Sequence, residues 1–290
     1  MSFQKRLQSG EFVVLAEMDT PKGVDISELV TNARRIKGRV DAVVIPDMAN
    51  GVMRMSSLGG GVLMQQQGLE AVIHICPRDR NRLSLQGDLL AAHVLGIQNL
   101  IVVQGEDMSF GDHIDAKTVA DLDDLGLLGA VRSLQEGVDL AGIDLKGNPS
   151  FTVGATISPC ADDAALHREL EKAGKKIEAG AKFLISPPVF DLKVFSSFME
   201  KAKGLGVPII PTVFLLKSVG VARYMAANVP GSFISEDLIT RIRKSPDRVT
   251  ECVKIAGETA GALKKLAHGV NIVTLGWEFR LPALLDYAGL

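Results

Sequence analysis

The chain is poor in the residues that build a disulfide scaffold or a cysteine-ligated metal centre. Its 290 residues include three cysteines, Cys76, Cys160 and Cys252, far apart and with no CxxC pair. That excludes a cystine framework and a cysteine-built zinc or iron–sulfur site within the chain. A basic tract is also missing. Lys plus Arg is 32 against 34 Asp plus Glu, a formal charge of −2, the wrong balance for a protein whose main ligand is nucleic acid. No apolar run approaches the roughly 20 residues of a membrane helix, and the opening MSFQKRLQSGEF has no signal-peptide core. Several catalytic signatures are absent as well. Gly59-Gly60-Gly61 is not followed by GK[ST], no GxGxxG follows an apolar run, and no GxSxG elbow occurs. Lys182 stands at the start of an apolar run, the wrong end for a Schiff-base lysine. These absences, with 47% hydrophobic residues, predict a globular protein of a reducing, cytoplasmic compartment.

What the chain does have is alternation. Short apolar runs recur at Phe12–Ala16, Asp41–Ile45, Ala71–Ile75, Asn99–Val103, Phe151–Ala155, Lys182–Ile185, Pro208–Val213 and Asn271–Leu275. Between them lie amphipathic stretches, among them Ile26, Leu29, Ala33, Ile36 closed by Gly38, and Leu166, Leu170, Ala173, Ile177 opened by Asp162 and closed by Gly180. Such spacing gives each helix one apolar stripe, with caps at the ends. Eight strands alternating with helices predict an α/β protein with a parallel sheet, and eight is the number that closes a (βα)8 TIM barrel. An open doubly wound sheet is the alternative. No linker or repeat divides residues 1–290, so a single domain is expected. Residues 105 to 118, GEDMSFGDHIDAKT, form a long aperiodic connection of the kind that carries function. Three extra helices are predicted between the last two strands, over Lys217–Ala227, Ser235–Arg243 and Asp247–Leu266.

A barrel puts its active site at the C-terminal ends of its strands, so the residues there are the candidates. Glu17 ends an apolar run. Desolvation there raises a carboxyl pKa and suits it to donate a proton near neutral pH, the competing reading being a rim ion pair. Gly105-Glu106-Asp107 joins two carboxylates to a glycine that permits close approach of a flat ligand, or is a solvated turn. His74 and Cys76 share a strand face, and Asp112-His113-Ile114-Asp115 is a second cluster of metal-ligand types. Neither has an evident full ligand set, so no metal site is predicted. Arg78, Arg80 and Arg82 precede a helix and could hold a phosphate or carboxylate, or form a solvated charge cluster.

The segments VVLAEMDTPKG, VDAVVIPD, AVIHICPRDRNRLSLQGDLLAAHVLGIQNLIVVQGED, FGDH with AKTVADLD, KKIEAGAKFLISPPVFD and VPIIPTVFLL span most of the chain. In this order they resemble the methylenetetrahydrofolate reductase family, and most of all its short members in the one-carbon metabolism of anaerobes. The resemblance implies a barrel carrying a flavin at its C-terminal face, FAD with FMN as the alternative. It implies hydride transfer from reduced flavin to the methylene carbon of a folate, giving methyltetrahydrofolate. Glu17 matches the family's proton donor, and Glu106 its acid beside flavin and pterin. Pro46, His74, Gln104, Gly105, Thr156, Glu169 and Lys176 match flavin-lining positions, and Thr118 and Val119 match the nucleotide end. The implied partners are a folate substrate, NADH or a redox partner protein as electron donor, a zinc-binding second subunit, and further copies in an oligomer. The chain departs from the family pattern in Glu106 for Asp, Gln104 for Arg, Pro46 for Thr, and Ser186-Pro187 for a Thr-Gln pair. The position of the family's stacking aromatic falls near Val219. These departures leave a flavin-carrying electron-transfer or interaction subunit as the alternative function.

Overall fold

A computed structural model describes residues 1–160, 162–229 and 231–290. Eight strands close into a parallel barrel in sequence order: β1 (Val13–Glu17), β2 (Ala42–Ile45), β3 (Ala71–Ile75), β4 (Asn99–Val102), β5 (Thr152–Thr156), β6 (Phe183–Pro188), β7 (Ile209–Phe214) and β8 (Gly269–Val273). The barrel, not the open sheet, is therefore the answer, and β1 pairs with β8 along its whole length. Eleven helices accompany the strands among the described residues: α1 (Phe3–Ser9), α2 (Ser27–Ile36), α3 (Ser57–Gln66), α4 (Arg82–Val94), α5 (Asp124–Gln135), α6 (Asp163–Glu178), α7 (Leu192–Ala202), α8 (Val219–Asn228), α9 (Glu236–Lys244), α10 (Arg248–Leu263) and α11 (Leu281–Ala288). Most start at a side-chain cap. Ser56, Asn81, Asp123, Asp162, Asp191, Ser218, Ser235 and Asp247 each accept a backbone N–H of the first turn, satisfying donors that the helix leaves free.

Strand alternation explains how the barrel is filled. Val13, Leu15, Ala42, Val44, Val72, Ile101, Phe183, Ile185 and Ile210 form one packed cluster. Their neighbours two residues away along each strand fall on the same inner face. The register pairs Glu17 with Val44 and Val273, His74 with Ile101, Thr156 with Ile185, and Thr212 with Asn271. Glu17, His74 and Thr156 thus end the inner faces of their strands above apolar filling, Asn271 and Thr212 lie level with Leu15, and Asn99 and Thr152 are buried toward the other end. The outer strand faces pack against the helices in a second, larger apolar cluster.

The N-terminal mouth is stoppered by α1, which the sequence pattern does not announce because only one of its side chains is buried. Phe3 is fully buried, with its ring edge-on to Phe183 at 5.3 Å and 86°. A Cβ on Gly154 would collide with the Phe183 ring, so the missing side chain of β5 makes room for the aromatic pair. The Phe3 amide also donates to Glu70 Oε2 at 2.9 Å. This closed end leaves the C-terminal mouth as the open one.

Candidate functional site

The inner faces deliver one side chain or backbone group from nearly every strand to the C-terminal mouth. A cavity of about 610 Å³ lies there, lined by Glu17 (β1), Pro46 (after β2), His74 (β3), Gln104, Gly105 and Glu106 (after β4), Thr156 (β5), Pro187 (β6), Phe214 (β7) and Asn271 (β8), among others. Val103, Ile185, Val273 and Tyr224 add apolar wall. A second cavity of about 550 Å³ lies beside it, lined by Asp19, Thr20, Arg54, Lys217 and Glu278 among others. Glu17, Ala49, Asn50 and Leu275 line both. Glu17 therefore stands in the wall between a largely apolar chamber and a charged one.

Glu17 is partly buried, and its Oε2 accepts a hydrogen bond from Asn271 Nδ2 at 3.2 Å. Burial drives its pKa up to about 7. The Asn271 bond opposes that rise, while Asp19 and Glu106 add to it by like-charge repulsion. Asp19 is itself pushed upward by burial, with Arg54 and Lys217 opposing, and its Oδ2 lies 3.5 Å from Arg54 Nη2. Across the larger cavity burial lowers His74 to about 4, so its imidazole is neutral at physiological pH. His74 Nε2 is buried with no partner among the described residues, an unspent polar atom where such atoms are normally paired.

Gly105 turns the chain at the end of β4 with φ +83°, and a Cβ there would meet Cys76 Sγ at 2.5 Å. Conformation and space both require glycine. Glu106, half-exposed at the rim, accepts from the Asn50 amide at 3.0 Å, and Arg78 Nη1 donates to its carbonyl oxygen at 3.1 Å. The three arginines after β3 are held by acids. Buried Arg78 pairs with Asp79 at 2.7 Å, Arg80 with buried Asp47 and with Asp88, and Arg82 with Asp121 at 2.9 Å. They brace the loops around the mouth and point to structure more than to phosphate capture.

Thr156 ends β5 within the cavity. Lys176, buried on α6, lies behind it, donating to Thr156 O at 2.9 Å and pairing with Asp124 at 3.0 Å. Glu169, also on α6, accepts the Ser158 amide at 3.0 Å. Both shape the β5 loop and neither lines the mouth cavity. Thr118 and Val119 are exposed on the β4 connection. They follow Lys117, which lines a smaller cavity of about 300 Å³ with Met48, Arg78 and His113 among others.

The family model of methylenetetrahydrofolate reductase matches residues 2–286. The chain belongs to the methylenetetrahydrofolate reductase family. No match was found among the functionally curated proteins. Among solved structures the chain is similar to an EDTA monooxygenase, EmoA from Chelativorans sp. BNC1, at 9% identity and TM-score 0.58, covering 97% of this chain and 98% of that one. Tryptophan synthase from M. tuberculosis is similar at 13% identity and TM-score 0.55, covering 99% of this chain and 94% of that one. At such identities both establish the barrel fold alone.

Within this reductase-family barrel the long β4 connection is tied down. Asp112 accepts from the Met53 amide at 3.1 Å and from His113 Nδ1 at 2.7 Å, and pairs with Lys22. It thereby links the loops after β1, β2 and β4. Asp112→Ala is expected to speed amide exchange at Met53 about tenfold, the worth of one hydrogen bond, with global unfolding unchanged. Equal exchange in both proteins would contradict the staple. Among the described residues no three His, Cys, Asp or Glu side chains are grouped as a metal ion requires, and no helix is long and apolar enough to cross a membrane.

Asn271 escapes the sequence reading. Starting the last strand at Asn271 instead of Gly269 puts this amide at the closed end of the barrel. Two more residues of strand carry it up to Glu17. The polar Asn two positions before Val273, inside HGVNIV, is the signal that it faces inward.

Proposed function

We propose that this protein reduces the methylene bridge of methylenetetrahydrofolate to a methyl group, with a flavin bound at the barrel mouth and Glu17 as proton donor. The observation that carries the reading is Glu17 itself, a carboxyl with a pKa of about 7 at the wall of a large, mainly apolar cavity in a chain of this family.

The residues present fit a flavin. A volume of about 610 Å³ lies within the roughly 300–1,000 Å³ usual for small-molecule sites. Val103, Ile185 and Phe214 offer apolar surface to a flat ring. His74 Nε2 has no partner among the described residues, and the Gly105 backbone permits close approach. His74, Gln104, Gly105, Glu106, Thr156 and the Pro46 backbone would hold the ring system, with Lys176 and Glu169 bracing the β5 loop. Thr118 and Val119 lie on the side where a nucleotide extension would run. FAD is the flavin this reading names, with FMN as the alternative.

When bound, the flavin supplies the hydride for the methylene carbon. The chain's own part is proton management. The methylene bridge must open before the carbon can accept hydride, and the departing nitrogen then needs a proton. Glu17 holds one up to about pH 7, where an ordinary glutamate has lost it, so the acid is ready at cytoplasmic pH. His74, neutral because burial opposes its charge, can pair without competing as an acid. Glu106 puts a negative charge at the rim, where it can accept from the donor edge of a pterin. Electrons enter from NADH or a redox partner protein, and a zinc-binding second subunit and self-association belong to the same reading.

One observation favours a second reading, a flavin carrier without folate turnover. Pro187 lines the cavity and has no side-chain amide with which to grip a pterin. A single spectroscopic experiment separates the two. FAD-loaded protein, mixed without oxygen with methyltetrahydrofolate, is expected to lose its oxidised flavin absorbance as the reaction runs backwards. Flavin that binds but stays oxidised would favour the carrier. Failure to bind FAD or FMN at all would overturn both.

A further inference from the structure

We propose that Asn271 is a positioning residue for the proton donor, fixing which oxygen of Glu17 carries the transferable proton. The inference rests on the reading of Glu17 as an acid and adds a residue to its machinery.

A protonated carboxyl has two unlike oxygens, one that donates and one that only accepts. Asn271 Nδ2 donates to Glu17 Oε2 at 3.2 Å. An N–H donor pairs with the carbonyl oxygen of an acid and not with its hydroxyl. While this bond holds, the proton resides on Oε1. Glu17 Oε1 accepts no bond from the described residues and is not among the buried unpaired atoms, so it stays open to the cavity. The amide is in turn well fixed. Asn271 is 1% exposed in the middle of β8, locked in register with Leu15 on one side and Thr212 on the other. Its own Oδ1 is buried with no partner among the described residues.

The other charged groups around Glu17 are carboxylates that do not donate. Asp19 lies two residues further along the β1 segment and Glu106 follows β4, each repelling the ionised form. Arg54 and Lys217 stand beyond, toward Asp19. Asn271 is thus the hydrogen-bond donor that Glu17 has in the wall. Its bond favours the ionised form, as the last push that releases the proton to substrate requires.

The test compares Asn271→Leu, close in volume but without the donor, with Asn271→Gln as the conservative rescue. Asn271→Ser, too short to reach Oε2, takes the place of leucine if packing suffers. In flavin-free protein, infrared titration reads the carboxyl C=O stretch of Glu17, assigned by its loss in Glu17→Gln. Asn271→Leu is expected to shift that stretch to higher frequency, because the carbonyl loses its donor, and to raise its titration midpoint by about one pH unit. In the FAD-loaded, pre-reduced enzyme, single-turnover oxidation by methylenetetrahydrofolate is expected to slow about tenfold or more at saturation, with substrate affinity within about twofold, and glutamine restores part of the rate. A purely structural role would lower thermal stability and leave frequency and midpoint in place, which would overturn the inference, as would an unchanged rate. If Glu17→Gln retains full folate turnover, the proton-donor reading itself fails. If it is inactive while Asn271→Leu matches the parent, only the positioning inference fails.

Discussion

Glu17→Gln is expected to bind flavin as the parent does and to reduce methylenetetrahydrofolate about 10²–10⁴-fold more slowly, the usual contribution of a positioned general acid. Glutamine keeps the shape and can still accept the Asn271 N–H, but it has no proton to give. The same change should stabilise the fold. Glu17 titrates near 4.5 when exposed and at about 7 in the folded protein, so the folded state takes up the excess proton between those values. Stability from this group is full below pH 4.5 and falls as pH rises through 7. At pH 8 the variant is therefore expected to unfold with a free energy roughly 1–3 kcal/mol higher than the parent, with the gap closing toward pH 4.5. His74 slopes the other way, because burial holds its folded pKa at about 4, below the ordinary 6.5 of an exposed imidazole, and its contribution is lost as pH falls through that window. The variant should thus lose stability steadily from pH 6.5 to 4, a trend that Glu17 partly masks in the parent. Unfolding curves at pH 8 and pH 4.5 check both signs. A variant less stable than the parent at pH 8 would place Glu17 in a structural ion pair instead.

Phe3→Ala carries the largest expected loss of stability, about 3–5 kcal/mol, the range for truncating a buried aromatic. Phe3 contacts Phe183 across the closed end of the barrel, and Phe183 occupies the space that Gly154 leaves. Removing the ring opens a cavity that backbone pairing on all sides prevents from collapsing. Denaturant unfolding should show a lower midpoint with similar slope, and flavin binding at the opposite mouth should persist. A loss under about 1 kcal/mol would mean that α1 is a loose appendage and not a stopper.

The strand plan was legible because parallel strands buried on both faces leave continuous apolar runs. Seven of the eight begin within about one residue of the place the runs predict, and β8 begins two earlier, at Gly269. Glu17 and His74 were legible for the same reason, as polar groups closing or interrupting such runs. The closed end was not legible, since α1 buries one side chain and shows no stripe. The pairings of Arg78, Arg80 and Arg82 were open in the sequence. Arg78 takes the adjacent Asp79 and Arg80 takes Asp88 of the following helix, whereas Asp47 and Asp121 come from other connections that only the barrel brings to Arg80 and Arg82. Asn271 was hidden by the two-residue shift in β8, and the charged cavity behind Glu17 by its assembly from the segments after β1, β2, β7 and β8. Local periodicity finds elements, whereas a site built from the ends of eight strands depends on their register.

The most direct test of the account is the pH dependence of single-turnover oxidation. FAD-loaded, pre-reduced protein is mixed without oxygen with methylenetetrahydrofolate at saturation, from pH 5.5 to 9. The rate is expected to be highest at low pH and to fall as pH rises through about 7, the value burial gives Glu17, with that limb absent from the residual rate of Glu17→Gln. A parent rate flat across the range, or the same falling limb in both proteins, would contradict Glu17 as the source of the proton.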